Sequence, residues 1–241
     1  ARPWTDTFHV LEAGEAPAAK SGPVRWGTPG GLRTLVEDLA TGLDVRRRTV
    51  AGVGPAGSRL QVDGAHASAV VLAMPDAQAA RLLAADAPER EVLNRPSEPV
   101  IALVATYAER TWDLDGAGFD GAFVNGDDVL DFVADDGRRR GDGAPVLVAH
   151  STSDFAAGHL EQPQGALPAM VEALGRVLGV DDGPVHTHVH RWSLAKPADP
   201  PRDAPFLLGD RLIGACGDGW GPQSKVEGAW LSGTALGREL V

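Results

Sequence analysis

A glycine-rich loop near residue 218 is the pattern in this sequence with the clearest capacity for chemistry. Gly217-Asp218-Gly219-Trp220 follows a predicted apolar strand, Arg211–Cys216, and precedes a predicted helix, Val226–Leu240. The N–H groups at a helix start point outward and carry partial positive charge, so this junction can bind an anion or a ligand dipole. Asp218 can accept hydrogen bonds from ligand hydroxyls, as acidic residues do in dinucleotide-binding folds. The same residues also fit an aspartate that only caps a loop, and both interpretations remain open.

The helix after this loop carries small residues, Gly228 and Ser232 among them, on one side. Glycine costs about 1 kcal/mol in a helix interior, so its presence needs a reason. Close approach of another backbone or of a flat ligand is such a reason. Ser232 lies in mid-helix and is predicted to serve helix packing. Trp220 is the tryptophan best placed to touch a ligand, whereas Trp192 and Trp230 are predicted to pack in the core.

A second pattern with chemical potential is the alternation of His186, His188 and His190 along a predicted strand, Val185–Trp192. Three imidazoles at alternate positions can ligate zinc, with water as the fourth ligand. The alternative is a half-exposed strand whose polar residues face outward, with Val185 and Val189 facing inward. If these histidines bind a metal ion, the chain is a metalloprotein. This is a third hypothesis for its function, beside the two given at the end of this subsection.

The elements that would position these groups alternate between helices and strands. Apolar residues at helical spacing predict a helix over 32–40 and another at 167–178, which Gly179 ends. The other predicted helices are 77–85 and 153–161. The predicted strands are 7–11, 44–53, 59–62, 69–74, 100–107, 129–133, 146–150 and 185–192, with a loop or hairpin at 113–128, an exposed turn at 135–143 and a proline-rich loop at 196–205. This order predicts an α/β (or α+β) fold.

Composition excludes several classes of protein. The chain has 241 residues, of which 43% are hydrophobic, so it can bury a substantial core. Its net charge of −11 repels phosphate backbones and anionic lipid surfaces, which argues against nucleic-acid binding. A single cysteine, Cys216, excludes an internal disulfide framework. Apolar runs are too short for a membrane helix and no signal-peptide pattern is visible, so we expect a cytoplasmic protein.

Several blocks of the sequence resemble one protein family, and they occur in that family's order. GACGDGWGPQSKVEGAWLSGTALGREL, from Gly214, resembles the C-terminal flavin motif of the flavin-containing amine oxidase superfamily, and within it the renalase-like oxidoreductases. RWGTPGGLRTLVEDLATGLDVRRRTV, from Arg25, is similar to the family's turn, helix and adenine-side strand. VVLAMPDAQAARLL, from Val70, is similar to its pyrophosphate-side strand and helix. HSTSDFAAGHLE and HRWSLAKP are similar to two further renalase-type blocks.

The resemblance implies part of a two-domain FAD-binding fold with an interleaved sheet-based substrate domain. Residues 25–92 and 207–241 would form the remaining FAD-binding portion, and residues 1–24 and 93–206 the substrate domain. The positions that the resemblance assigns to FAD are Val50, Ala73, Pro75, Gly217, Asp218, Gly219, Trp220, Val226, Glu227, Gly228 and Ala229. Val50 would meet the adenine, Asp218 the ribityl–phosphate region, and the start of the last helix the isoalloxazine. The flavin itself performs the hydride chemistry, so no catalytic triad is implied.

The sequence departs from the family at its start. The family begins with a G-x-G-x-x-G strand–loop–helix–strand unit that holds the FAD phosphates, and Gly27-Thr28-Pro29-Gly30-Gly31 does not fit that pattern. We therefore expect FAD in the complete protein and weak or absent FAD binding by this chain alone, with self-association or a partner chain at the face left bare. The function implied is a renalase-like FAD-dependent oxidoreductase that takes hydride from a reduced nicotinamide or amine-type molecule, with dioxygen as acceptor. The alternative is a non-catalytic remnant or subunit that needs a separate dinucleotide-binding half.

Overall fold

The computed structural model describes residues 1–57, 59–114, 116, 118–198 and 202–241. The chain forms two compact units, each built from two separate stretches: Ala1–Val45 with Pro99–Trp192, and Arg46–Glu98 with Ser193–Val241. The predicted domains have the same interleaved order but other boundaries, and their assignment to cofactor and substrate stays a prediction. The predicted loops at 113–128 and 196–205 lie partly outside the described residues.

The secondary structure is a mixture of strands and short helices. The strands are β1 (Arg2–Glu12), β2 (Ala18–Gly27), β3 (Val53–Ala56), β4 (Arg59–Val62), β5 (Ala65–Ala67), β6 (Val70–Leu72), β7 (Ser97–Thr106), β8 (Gly121–Asn125), β9 (Leu130–Asp135), β10 (Val146–Ser151), β11 (His186–Pro197), β12 (Leu207–Leu208) and β13 (Ile213–Ala215). The helices are α1 (Arg33–Leu39), α2 (Asp76–Leu82), α3 (Pro88–Val92), α4 (Asp136–Arg140), α5 (Ser153–Ala157), α6 (Leu167–Leu178) and α7 (Val226–Glu239), with a 3₁₀ turn at Pro163–Ala166. The prediction of an α/β chain is confirmed.

The first unit is built on a seven-stranded sheet in the order β11-β7-β10-β9-β8-β1-β2. β1 runs parallel to β8, with His9 opposite Ala122, while β1–β2, β8–β9, β9–β10 and β7–β10 are antiparallel. One face carries the main core, against which α6 buries Met170 and Leu174 completely. Gly179, in the left-handed conformation at φ 65°, ends α6 as predicted.

The second unit contains two three-stranded sheets, β12-β13-β6 and β3-β4-β5. β13 lies parallel to β6, with Gly214 opposite Val71, and antiparallel to β12. A Cβ atom on Gly214 would lie 2.9 Å from Cδ2 of Leu236, so glycine is what lets α7 lie so close to β13. The core of this unit includes Leu72, Ile213 and Trp220.

Two predicted elements differ in the structure. Residues 44–52, all of them described, lack strand geometry, and the predicted strand 44–53 is wrong except for Val53, where β3 begins. The reason is local, because the N–H groups of Ala51 and Gly52 donate to the Asp63 carboxylate, each 3.0 Å from Oδ1, instead of to a neighbouring strand. The predicted exposed turn at 135–143 contains helix α4, which Asp135 caps by accepting from the Arg138 N–H.

Helix α1 forms where the apolar spacing predicts it, but none of its residues is buried. Leu32, just before the helix, is 51% exposed, Val36 is 64% exposed and Leu39 is 57% exposed. An amphipathic helix gains most of its stability by covering its apolar face, so this face is suited to contact with another polypeptide. Among the described residues, every helix is too short or too polar to cross a lipid bilayer.

Candidate functional site

The Gly217–Trp220 loop leaves β13 and leads into α7, as the sequence predicts. All three residues of β13 are buried, which fixes the start of the loop. Gly217 has φ 147°, a conformation that favours glycine. A Cβ atom at Gly217 would meet none of the described atoms within 4 Å, so the loop presents bare backbone to open space. A ligand can therefore approach this backbone closely.

Ser232 holds the loop from the side of α7. The Gly217 N–H donates to Ser232 Oγ at 3.1 Å, and the same hydroxyl donates to the Pro205 carbonyl oxygen at 2.6 Å. Ser232 is buried, so both bonds form away from water. Ser232 therefore does more than the helix packing predicted for it, because its hydroxyl joins the loop to the segment at Pro205.

Two arginines, neither of them predicted as a site residue, contact the loop at Gly219 and Trp220. Arg95, only 7% exposed, donates from Nη1 to the Gly219 carbonyl oxygen at 2.8 Å. Arg202 places its guanidinium carbon 4.4 Å from the centre of the Trp220 ring and forms an ion pair with buried Asp76, 2.7 Å from Nη2 to Oδ2. These partners are far apart in sequence, so no local spacing could have revealed them.

A pocket with an empty volume of about 360 Å³, its open mouth included, lies beside the loop. It brings together predicted site residues from both of the stretches that form the second unit. Its lining includes Met74, Pro75, Arg95, Cys216 and all four loop residues, Gly217, Asp218, Gly219 and Trp220. Cys216 is buried, and burial raises the pKa of its thiol. A raised pKa favours the protonated thiol, which is the less nucleophilic form.

The start of α7 is open to solvent. Val226 and Glu227 are exposed, and within the described residues the side chain of Lys225 makes no capping hydrogen bond. The first N–H groups of a helix lack partners inside the helix, so these groups are available to an acceptor atom. Asp218 lies nearby in sequence and accepts a hydrogen bond from Ser224 Oγ at 3.1 Å.

Other predicted residues lie elsewhere. Val50 is half-buried against the core of the second unit, and Ala73 is exposed after β6; neither belongs to the lining of the pocket beside the loop. The predicted core positions of Trp192 and Trp230 are wrong, since each is 54% exposed. Trp220 is buried instead, because it packs in the core of the second unit, with the Arg202 guanidinium over its ring.

The three alternating histidines lie on β11 and all are exposed, as the half-exposed strand interpretation predicts. Val189 faces inward, whereas Val185, just before the strand, is exposed. The rings of His188 and His190 are 6.3 Å apart, and His190 packs edge-on against Trp192. In the part of the chain that the structure describes, no group of three His, Cys, Asp or Glu side chains could hold a metal ion. The geometry gives the zinc hypothesis no support.

Gly228 has a structural reason of the first kind that the sequence suggests, a close approach of backbone. A Cβ atom there would lie 2.1 Å from the carbonyl oxygen of Gln223, so the glycine accommodates a close backbone approach. We expect Gly228→Ala to destabilise the protein by about 1–3 kcal/mol, because backbone must move to relieve the overlap. Urea denaturation followed by circular dichroism measures the change.

Gly237 is the matched control for this experiment, since it lies in the same helix. A Cβ atom there meets none of the described atoms within 4 Å. Gly237→Ala should therefore stabilise α7 by up to about 1 kcal/mol. Equal effects of the two substitutions would show that the Gln223 carbonyl does not constrain residue 228.

No protein-family model matches the chain. Solved structures do share its fold. A protein assigned as a protoporphyrinogen oxidase of Exiguobacterium sp. 255-15 matches 88% of this chain and 51% of its own, with 18% identity and a TM-score of 0.66. Wild-type putrescine oxidase bound to putrescine matches 88% of this chain and 53% of its own, with 19% identity and a TM-score of 0.61.

Cyclohexylamine oxidase from Brevibacterium oxydans IH-35A is a third similar structure, with 17% identity and a TM-score of 0.55. The match covers 80% of this chain and 48% of the oxidase. This chain thus spans about half the length of the three proteins. The chain therefore shares part of the fold of these three oxidases.

Proposed function

We propose that this chain is part of a renalase-like FAD-dependent oxidoreductase that takes hydride from a reduced nicotinamide or amine-type small molecule, with dioxygen as the electron acceptor. The observation that carries the proposal is the Gly217–Trp220 loop, which presents open backbone between a buried strand and the free start of α7. The shared fold with two amine oxidases supports the reaction class. About half of the length of each oxidase lies outside the match, so the activity is proposed for the complete protein that carries this chain.

The residues present fit a flavin nucleotide in several respects. Gly217 leaves room for close approach, and the free N–H groups at Val226 and Glu227 can donate to acceptor atoms of a ring. The Asp218 carboxylate can accept from ribityl hydroxyls while it holds Ser224. Pro75, which lies between β6 and α2, lines the same pocket. Val50, Ala73, Gly228 and Ala229 remain predicted cofactor contacts.

FAD, when bound, supplies the two-electron chemistry, because hydride transfer is a property of the cofactor. The chain's own residues would bind and orient it. The positive end of the α7 dipole would stabilise negative charge on an acceptor atom placed at Val226. Arg95 and Ser232 would keep the loop in one conformation, since each is buried and hydrogen-bonded to a loop backbone group.

The test of this proposal is flavin retention by the complete protein that carries this chain. Asp218→Ala removes a charged acceptor, whose hydrogen bond is worth about 1.5–3 kcal/mol, so we expect FAD to bind roughly ten- to a hundredfold more weakly. Flavin absorbance after gel filtration measures retention, and calorimetry measures the dissociation constant. The chain alone, titrated in parallel, is expected to bind FAD weakly or not at all.

Two controls separate the possible outcomes. Ser224→Ala removes only the internal hydrogen bond to Asp218, and Asp210→Ala removes an exposed carboxylate of the same unit. Both should leave FAD binding nearly unchanged. Full retention in Asp218→Ala would remove Asp218 from the site, and a complete protein that neither contains nor binds flavin would overturn the proposed function.

A second candidate function is a non-catalytic subunit that binds a separate dinucleotide-binding chain. The exposed apolar side chains of Leu32, Val36 and Leu39 favour this candidate, because exposed apolar patches commonly mark protein interfaces. A sizing column distinguishes the candidates: a stable complex that lacks flavin and activity supports the subunit, and a flavin-containing active protein supports the enzyme.

A further inference from the structure

A further pocket of the second unit lies at the opposite end of β13 from the Gly217–Trp220 loop. Its empty volume, open mouth included, is about 1230 Å³. Ile213, the first residue of β13, lines this pocket, whereas Cys216, directly after the strand, lines the pocket beside the loop. Within the described part of the chain the two pockets share no lining residue, so they are separate candidate sites.

The wall of this pocket contains aliphatic side chains from several elements. β3, the segment after α2, α3 and the hairpin of β12 and β13 all contribute. Val53 and Ile213 are buried in the core of the unit, whereas Val92 is 41% exposed. The wall is therefore held by the core at its base and reaches the surface at its rim. Such a wall can shield an aliphatic chain from water.

Glu89, in α3, is the polar group of the pocket that this apolar wall does not explain. The residue is only 5% exposed and belongs to the lining. Among the residues that the structure describes, none donates a hydrogen bond to its carboxylate or forms an ion pair with it. Buried charged groups are normally paired, so this carboxylate indicates a place for a cation.

Gly209, after β12, makes room for the Glu89 carboxylate. A Cβ atom on Gly209 would lie 2.0 Å from Glu89 Oε1 and 2.9 Å from its Cδ. Gly209 also lines the pocket, so the carboxylate lies against the turn that joins β12 to β13. Two hydrogen bonds of 2.9 Å close this turn, from the Gly209 N–H to the Ile213 carbonyl and from the Leu212 N–H to the Gly209 carbonyl. The position of the carboxylate therefore depends on the lack of a side chain at residue 209.

The charges around the pocket favour a cation over an anion. Asp86 and Asp210 line it together with Glu89, and Arg211 is the basic residue of the described lining. Asp86, Asp210 and Arg211 are exposed, so solvent and salt screen their charges, whereas Glu89 is buried. Three carboxylates against one guanidinium give the pocket a negative potential, and the least screened charge is that of Glu89.

We propose that this pocket, which we call the Glu89 pocket, binds a primary amine with a short alkyl chain, with the ammonium group at Glu89 and the chain against Val53 and Ile213. An alkylammonium ion carries a compact charge with three donors, which suits a carboxylate that has little contact with solvent. Each methylene that the wall buries should raise the affinity roughly fourfold. The site lies in the second unit and does not need flavin.

The test titrates n-pentylamine into the full chain without added flavin. Isothermal calorimetry measures affinity, and amide NMR shifts, which should include those of Glu89 and Gly209, give the location. Pentan-1-ol has the same chain without the charge, pentanoate has the opposite charge, and ethylamine has a shorter chain. We expect pentan-1-ol and pentanoate to bind more weakly than n-pentylamine by roughly tenfold or more, and ethylamine by roughly ten- to fiftyfold.

Glu89→Gln keeps the size of the side chain but removes its charge. It should weaken n-pentylamine by roughly tenfold or more and leave pentan-1-ol unchanged. The described residues provide no partner for this carboxylate, so the substitution should not lower the midpoint of thermal unfolding. Glu91→Gln makes the same change at an exposed position of α3 and is the matched control, with binding unchanged.

Two other variants test the wall and the position of the carboxylate separately. Val92→Ser removes apolar surface at the rim and should weaken n-pentylamine and pentan-1-ol alike, by about three- to tenfold. Gly209→Ala keeps every charge but displaces the Glu89 carboxylate, so it should weaken n-pentylamine more than pentan-1-ol.

Several results would overturn the proposal. These are equal affinity for n-pentylamine, pentan-1-ol and pentanoate, or NMR shifts confined to residues outside the Glu89 pocket. A marked loss of stability in Glu89→Gln would count against it too, because the carboxylate would then have a structural partner. So would a dimer that Glu89→Gln dissociates and n-pentylamine does not, since a basic side chain of a second copy would occupy the pocket. FAD retention is measured separately on Asp218→Ala, so failure of one proposal leaves the other standing.

Discussion

Arg202→Met should destabilise the protein by about 3 kcal/mol, since removing one partner of a buried ion pair leaves the other charge without compensation. Asp76 is 7% exposed and its Oδ2 lies 2.7 Å from Arg202 Nη2. The substitution also removes the guanidinium from the Trp220 ring and the hydrogen bond from Arg202 Nη2 to the Val92 carbonyl. Urea denaturation measures the loss, and the flavin content of the complete protein should fall with it if Trp220 positions the loop.

A double-mutant cycle distinguishes the ion pair from general damage. Asp76→Asn combined with Arg202→Met should cost less than the sum of the single changes, because each single change already removes the pair. Lys196→Met is the control, since the Lys196–Glu98 ion pair of 3.1 Å is largely exposed and should contribute less than about 1 kcal/mol. Strict additivity in the cycle would show that Asp76 and Arg202 are not coupled.

Asp135→Ala should be at least as costly, at about 3–5 kcal/mol, because this carboxylate is fully buried and accepts hydrogen bonds from four N–H groups of three residues, one of them from Arg110 Nη2 at 3.2 Å. It accepts from Arg110 Nε at 2.7 Å, from Trp112 Nε1 at 2.8 Å and from the Arg138 N–H at 2.8 Å. Alanine would leave the buried Trp112 N–H and the start of α4 without their acceptor. The midpoint of thermal unfolding reports the change.

Two further substitutions make this prediction specific. Asp135→Asn keeps one acceptor oxygen for two of the four donors and should therefore lose less stability than Asp135→Ala, although its NH2 group would face the other two. Glu172→Ala, at an exposed position of α6 in the same unit, should stay within about 0.5 kcal/mol of the parent. A loss of less than about 1 kcal/mol in Asp135→Ala would mean that water replaces the carboxylate at no cost.

The sequence predicts best those elements whose signals are local. α6 occupies 167–178 as predicted, since its apolar face and Gly179 both lie within one short stretch. α7 begins at Val226 as predicted and ends one residue earlier than predicted, at Glu239. The glycine loop before it could also be placed, because strand, loop and helix follow one another directly.

The remainder depends on contacts that local patterns do not encode. The partners Arg95 with Gly219 and Arg202 with Asp76 meet only after the chain has folded back across more than half of its length. The strand predicted at 44–53 is absent over 44–52 because the Asp63 carboxylate accepts hydrogen bonds from N–H groups that would otherwise donate to a neighbouring strand. Burial of a helix face likewise depends on what lies opposite, so the apolar spacing of α1 predicts the helix and not its surroundings.

The parallel pairing of β1 with β8 sets an order of events during synthesis. β1 ends at Glu12 and β8 begins at Gly121, so the ribosome must add the intervening residues before this pair can form. At typical elongation rates, that interval lasts on the order of 5–20 s. During this time the hairpin of β1 and β2 carries Trp4 and Phe8 without the strand that later completes the sheet beside them. The nascent chain therefore has a seconds-long window in which chaperone binding would protect the hairpin of β1 and β2.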